Sequence, residues 1–524
     1  MNETERTTIE ASTKTWAEQL GLTYFDTTTP VDVTPLIGKL TLEGMTAYQI
    51  VPLAVDGTAL TVGINDQTDR AQLETLKTRL SAYQVTFNVI SRTGWTRIYN
   101  RIKLNADQSA LSGDYAAFSD RIANAGPKEQ FEVIAQLACQ LGASDIHLEP
   151  AATQARVRFR IDGTLYPIVT LPHERYDLLT SDLQMRAGAK WGADVPQAGR
   201  IQLQLITANG DEGPVNMRLE TVPSLHGQDV VIRIFNLSVS YLKLDALALS
   251  KTQRSLLEKV ISHPRGLVLT VGPTGSGKTS SLYAIMNQLN APDVKIVTLE
   301  DPVEYELEGV SQLPVRSEDA ELFMEKLRAV LREDPNIIMI GEIRDADTAR
   351  TALQAALTGH LVLSTFHAAN SASAVTRLMD MIGQNSLLAS SVRLIMAQRL
   401  VRRLCLDCRE SYKPSHEELI EIKTALHGLP TSSHPDFETI ELKRPKGCDK
   451  CHHFGYRGRV GLFEQLEITP EMEILIGRGT AGTTAKAIEQ LAVKQGMMTL
   501  LQDGVLKAVA GDTSLKEVYQ AVGE

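Results

Sequence analysis

Leu267-Val-Leu-Thr-Val271-Gly272-Pro273-Thr274-Gly275-Ser276-Gly277-Lys278-Thr279-Ser280 is the stretch on which the reading of this chain turns. Leu267 to Val271 reads as a short buried strand, and Ser280 to Leu289 as a helix. Between them stands G-x-x-x-x-G-K-T, with both flanks in the register that motif needs. Glycines there let successive backbone N–H groups converge on phosphate, and the helix N-terminus adds a favourable dipole. Residues 272–280 are therefore the candidate phosphate cradle for ATP. Lys278 is placed to reach the β- and γ-phosphates, and Thr279 to hold Mg²⁺. The plain alternative is a glycine-rich turn that binds nothing.

Outward from this loop, nearly all-apolar strands alternate with helices. Lys295 to Leu299, Asn336 to Ile340 and His360 to Thr365 read as strands, the last following a helix from Ala346 to Leu357. Strands apolar on both faces and alternating with helices predict a parallel α/β sheet. Such sheets bind ligands outside the carboxyl ends of their strands. Two acidic groups fall there. One is Glu300-Asp-Pro-Val-Glu304-Tyr-Glu306. The other is Glu342, where Gly341 occupies the place an Asp often takes. Hydrolysis needs a carboxylate to position water and another to manage the metal; solvated loop ends are the bland reading. His360 and His367 flank the fourth strand, and residue type alone favours a structural role for each.

Towards the N-terminus, Thr15 to Leu20 reads as a short helix. Val51 to Val55, Leu60 to Ile64 and Gln84 to Ile90 read as strands, with a helix from Asp69 to Leu80. This predicts a small α/β domain over 1–105, then a linker over 106–127. A second domain, 128–238, opens with a helix from Glu129 to Leu141 and contains Arg156-Val-Arg-Phe-Arg-Ile161. Strand alternation puts Arg156, Arg158 and Arg160 on one face, expected to be solvated. Asn236 to Leu244 is the expected hinge before the third domain, 239–524.

Four of the five cysteines form Cys405-Leu-Asp-Cys408 and Cys448-Asp-Lys-Cys451, while Cys139 stands alone. Four thiolates suit a closed tetrahedral Zn²⁺ site rather than a disulfide framework. The thirty-nine residues between the pairs exceed a compact zinc ribbon, so the insert at 400–460 is expected to fold as its own unit. The net charge of −10 argues against a general nucleic-acid coat. The start, MNETERTTIEAS, is unlike a signal peptide, and no apolar run approaches the roughly 20 residues of a bilayer span. A cytoplasmic protein, reaching a membrane only through partners, is expected.

Taken in order, several motifs resemble one family, the type II secretion and type IV pilus assembly ATPases (the GspE/PilB group). They are Ser144-Asp-Ile-His-Leu-Glu-Pro150, the phosphate loop, Leu299-Glu-Asp-Pro-Val-Glu-Tyr-Glu306 and Leu331 to Asp345. Thr358 to His367, Ala397 to Cys405 and Gly455 to Glu464 complete the series. The resemblance covers about Gln130 onward and, weakly, the first hundred residues. It implies a RecA-like P-loop NTPase motor domain preceded by two smaller α/β domains, the second PAS-like, with a zinc-binding insert.

It implies a homo-hexamer that hydrolyses ATP to assemble a pilus or pseudopilus. The partners would be an inner-membrane platform protein and a cytoplasmic-side adaptor, with no specific nucleic acid. By the same resemblance Glu304 is the general base, Glu342 acts at the metal, His367 senses nucleotide, and Arg218 and Arg233 reach nucleotide from the second domain. Two motifs depart from the family. Pro196-Gln-Ala-Gly-Arg200 stands for Pro-Gln-Asp-Gly-Arg, and Ala368-Ala369-Asn370 for Thr-Asn-Asp. RLGxxL-type repeats are missing from the first hundred residues, so cyclic-di-GMP is not an expected ligand. A RecA-like motor for DNA uptake or transfer and a nucleotide-gated adaptor without turnover are the competing readings.

Overall fold

The computed structural model describes residues 3–27, 31, 36, 39–81, 83–96, 98–99, 102, 122, 124–188, 195–206, 212–235, 243–315, 319–383, 387–430, 433–479 and 483–523. The chain divides into two compact units, Met1–Asp120 and Arg121–Glu524. Nearly all of the expected linker, the expected hinge as far as 242, and the residues just before Val195 lie outside the described residues.

The first unit opens on the helix Glu3–Leu20, twelve residues longer than the sequence suggests. The missing signal is tertiary. Glu10, almost fully buried, accepts hydrogen bonds from Tyr24 Oη and Ser91 Oγ, each at 2.7 Å. A polar segment is thereby anchored that shows little helical pattern of its own. Four strands follow: β1 (Thr23–Tyr24), β2 (Ile50–Asp56), β3 (Ala59–Ile64) and β4 (Gln84–Val89), in the order β1-β4-β3-β2. β2 and β3 form a hairpin; β4 runs parallel to both β3 and β1.

The second unit contains two large sheets. The first holds β5 (Ala143–Pro150), β6 (Ala155–Ile161), β7 (Thr164–Leu171), β8 (Gln197–Ile206), β9 (Glu212–Ser224) and β10 (Gly227–Phe235). It is antiparallel throughout, in the order β7-β6-β5-β10-β9-β8, with the helices Pro127–Gln140 and His173–Arg186 packed on it. Val157 and Phe159 of β6 are buried as alternation requires. Its arginine face is not simply solvated. The register sets Arg156 opposite Glu149 and Arg160 opposite Asp145. Arg156 and Arg158 pair with Glu149, and Arg160 with Asp145.

The second sheet holds β11 (Gly266–Val271), β12 (Ile296–Glu300), β13 (Val310–Pro314), β14 (Ile337–Ile340), β15 (Leu361–Phe366) and β16 (Val392–Leu404). Beyond the small hairpin β17 (Glu410–Tyr412) and β18 (Leu442–Arg444), β19 (Tyr456–Glu467) closes its edge. The order is β13-β12-β14-β15-β11-β16-β19, with β19 antiparallel to β16 and every other pairing parallel. Alternate residues of β11 feed two cores: Leu267, Leu269 and Val271 enter one, Val268 the other. The sheet is therefore covered on both faces, which explains its unbroken apolar strands.

The cysteine insert does not carry a core of its own. Ile422, Leu426 and Leu442 pack with Val505, Ala508, Leu515 and Val518 of the C-terminal helices Leu500–Val509 and Leu515–Val522. So few apolar residues bury too little surface alone, and the insert shares a core with the end of the chain.

Candidate active site

The phosphate loop, the acidic segment, Glu342 and His367 follow β11, β12, β14 and β15, so all four lie at one carboxyl edge of the parallel sheet. Gly272 shows why the loop is built from glycine. Its φ is 154°, and a Cβ there would stand 2.6 Å from the Gln398 carbonyl oxygen, a backbone atom with little room to move. Lys278, the first residue of the helix Lys278–Leu289, is buried and donates to the Gly272 and Pro273 carbonyls, both at 3.0 Å. Burial pushes its ammonium below the usual lysine range, and the charge of Glu342 opposes the shift. A buried cation held only by neutral carbonyls suits an incoming polyanion. The Ser276 hydroxyl is buried with no partner inside the same loop. These features fit a bound phosphate chain.

Thr274, Gly275, Gly277, Lys278, Thr279 and Ser280 line a cavity of about 600 Å³; Gly272, Pro273 and Ser276 of the same loop do not. Glu304, Glu342, Arg344 and His367 line the same cavity. Glu342 is held on both oxygens, by Arg344 Nε at 2.9 Å and by His367 Nε2 at 2.9 Å. His360, by contrast, meets the Ala355 carbonyl at 3.0 Å, a structural contact. Gly341 has a local reason: a Cβ there would stand 3.1 Å from the Leu299 carbonyl oxygen on the adjacent strand.

The members of the acidic segment differ. Glu300 is buried and committed to Tyr283 Oη and Thr298 Oγ1, each at 2.5 Å, and to Gln312 Nε2 at 3.1 Å. Glu304 faces the cavity. Burial pushes its carboxyl above the usual range, Arg233 and Arg218 oppose that rise, and Glu300 adds to it.

The two arginines are directly paired across β9 and β10, and Arg200 of β8 is paired with Arg218, so three arginines form one cross-strand row. Arg233 lines the cavity; Arg218 stands one strand away and does not. Arg233 Nε lies 3.1 Å from Asp145 Oδ1, while Arg160 Nε lies 3.4 Å from Asp145 Oδ2. The Ser144-Asp145 motif thus anchors the base of an arginine whose side chain remains 60% exposed, free to meet a ligand.

In the segment Ala397 to Cys405, residue type alone assigns no role, and the fold supplies one. Gln398 accepts from Ser281 Oγ at 2.8 Å and packs behind the phosphate loop. Arg399 donates to the Ala369 carbonyl at 2.6 Å, and Arg377 to the His367 carbonyl at 2.6 Å. These contacts hold the loop after His367 through its backbone, so the departure at Ala368 and Ala369 leaves them in place. Asn370 caps the helix Ser371–Ile382. The β6–β7 hairpin joins the two sheets: Asp162 accepts from Gly458 N at 2.8 Å, and Arg402 donates to Tyr166 Oη at 3.0 Å.

The sulfurs of Cys405, Cys408, Cys448 and Cys451 lie within 4.8 Å of one another, the one group of metal-ligating side chains of this kind among the described residues. Four thiolates at that spacing fit a closed tetrahedral zinc site. Main-chain N–H groups of Gly447 and Gly455 point at Cys408 Sγ and Cys451 Sγ, at 3.3 and 3.2 Å. Such donors stabilise thiolate ligands from outside the metal shell.

A phosphate loop on a two-sided, mostly parallel sheet, with carboxylates at the ends of neighbouring strands, defines a RecA-like P-loop ATPase. The particular lineage comes from comparison: residues 124–520 match the family described as Type II/IV secretion system protein, and the chain belongs to that family. Residues 20–109 match the MshEN domain. The chain is 39% identical over 419 residues to a putative type II secretion system protein E of Escherichia coli K12, covering 80% of each. It is 36% identical over 524 residues to type II secretion system protein E of Xanthomonas campestris, covering 97% of this chain and 89% of the relative. With the type IV pilus assembly ATPase PilB of Pseudomonas aeruginosa the identity is 40% over 378 residues, 72% of this chain and 64% of that one. The fold is shared with the Legionella pneumophila ATPase DotB, at a TM-score of 0.54 and 20% identity over 74% of this chain and 94% of DotB.

Proposed function

We propose that this protein is a hexameric ATPase that works at the cytoplasmic face of a membrane and powers assembly of a type IV pilus or a type II secretion pseudopilus. The observation that carries the reading is one cavity lined by Lys278, Glu304, Glu342 and Arg233, drawn from both sheets of the second unit. Residues 272–280 hold the phosphates of ATP, with Lys278 as the main point charge. The Thr279 hydroxyl and the Glu342 carboxylate would hold Mg²⁺, which would supply charge neutralisation at the phosphates. Glu304 orients the attacking water and takes its proton, a role that a raised carboxyl suits.

Arg233, with Arg218 behind it, supplies positive charge where negative charge develops in the transition state. Because that cation comes from a different sheet than the phosphate loop, closure of the cleft and chemistry are coupled. His367, bonded to Glu342, reports nucleotide state to the loop that follows it. Among the described residues no helix is long and apolar enough to cross a membrane. Attachment is assigned to a membrane platform protein and an adaptor, with the first unit as the docking element. Secretion and pilus relatives support that reading.

Phosphate release by the purified chain tests it, with and without DNA. The reading expects Mg-dependent turnover that DNA does not stimulate, lost in Lys278→Ala together with nucleotide binding. Turnover that depends on DNA would favour a DNA motor instead, and turnover unchanged in Lys278→Ala would remove the site from the chemistry.

A further inference from the structure

Tyr283 sits five residues beyond Lys278 on the helix that begins at the phosphate loop, and its ring is fully buried. Its hydroxyl donates to Glu300 Oε2 at 2.5 Å. Tyr283 Oη itself lies 3.4 Å from the main-chain nitrogen of Tyr305. Gln312, from β13, completes the cluster. Its Nε2 lies 3.1 Å from Glu300 Oε1, 3.4 Å from Tyr283 Oη and 2.8 Å from the Tyr305 carbonyl oxygen. Its Oε1 accepts from Leu307 N at 2.7 Å. The Tyr305 ring meets the Tyr283 ring edge-on, with centroids 5.9 Å apart. The backbone just after Glu304, from Tyr305 to Leu307, is thus held by polar groups rooted in the phosphate-loop helix, β12 and β13.

We propose that Tyr283 is a positioning residue for Glu304, tying the phosphate-loop helix to the segment that carries the carboxylate. A buried carboxylate such as Glu300 carries a desolvation cost that a packed apolar residue would avoid, so stability alone gives it little reason to be there. What the hydrogen-bonded cluster adds is a fixed path for the main chain of 305–307, directly after Glu304. Placement matters because misplacing a catalytic group by about 1 Å costs on the order of a hundredfold in rate. Helix and carboxylate then move as one body, so the geometry at the phosphates sets the geometry at the water.

The inference rests on the reading of Glu304 as the base, and a double-mutant cycle on the full chain separates the two. ATP turnover and nucleotide affinity are measured for the parent, Tyr283→Phe, Glu304→Gln and the double variant, with thermal melts on each. Tyr283→Phe keeps the ring and removes only the hydroxyl. It is expected to lower kcat about ten- to a hundredfold with KM within about threefold, and to cost less than about twofold further in the Glu304→Gln background.

If Tyr283→Phe lowers kcat equally in both backgrounds, or leaves it unchanged while Glu304→Gln is slow, Tyr283 acts elsewhere and the inference fails alone. If Glu304→Gln turns over like the parent, the base assignment itself fails and takes the inference with it. Should Tyr283→Phe not fold, Gln312→Ala, at the half-buried rim of the cluster, is read by the same cycle and the same outcomes.

Discussion

His367 Nε2 and Glu342 Oε1 stand 2.9 Å apart, joining the ends of β15 and β14 across the cavity floor. Arg344 holds the other oxygen of Glu342 at 2.9 Å, so the carboxylate is fixed from two sides. Removing the imidazole leaves one of those restraints. His367→Ala is expected to lower kcat by about tenfold with nucleotide affinity changed less, and His367→Gln, which keeps a donor, to recover part of the loss. Equal kinetics in His367→Ala and the parent would make the contact merely structural.

The acid limb of turnover should report Glu304. Burial raises its carboxyl while Arg233 lowers it, and the base works only when ionised. Turnover should therefore fall, as pH drops, through a value above the ordinary carboxylate range. Arg233→Ala removes a restraining charge and should move that limb to higher pH, besides cutting the plateau; Arg233→Lys should recover it in part, lacking the planar fork. The stability sign follows. A group that binds its proton more tightly folded than unfolded adds stability at low pH, and that contribution is lost as pH rises through the folded value. A pH–rate profile in Arg233→Ala with the parent's acid limb would contradict this.

How much of this was legible in sequence depended on how far apart the cooperating residues lie. The phosphate loop is contiguous, and its strand and helix are adjacent, so motif and context could be read together. Glu342 and Glu304 were legible as acidic residues just beyond strands. The Arg218–Arg233 pairing depends on antiparallel register, which spacing alone does not state. Asp145 and Arg233 are 88 residues apart, and Ser281 and Gln398 117 apart, so their contacts exist only after folding. The helix from Glu3 carries little sequence signal because its anchor, Glu10, is a charged residue buried by distant hydroxyls. The insert's shared core is hidden from sequence for a related reason, since half of it comes from the last twenty-five residues of the chain.

That shared core changes what zinc removal should do. The four-cysteine cluster also frames Phe454 to Gly458, whose backbone and ring meet Asp162 and Tyr166 of the β6–β7 hairpin. Protein purified without chelator should carry one zinc per chain by elemental analysis. Stripping it should raise amide hydrogen exchange in residues 415–426, in Leu500–Val522 and in the β6–β7 hairpin, before β11 to β15 are affected. Exchange confined to the residues between Cys405 and Cys451 would restore the picture of an independent insert; absence of stoichiometric zinc would remove the site.

In the proposed chemistry, Glu304 acts on water beside an intact phosphate cradle. A rapid-quench, single-turnover measurement of bound ATP in Glu304→Gln tests this most directly. The variant should bind ATP within about tenfold of the parent, about 1.4 kcal/mol, yet convert it at least about a hundredfold more slowly. Conversion of bound ATP at the parent's rate would contradict it.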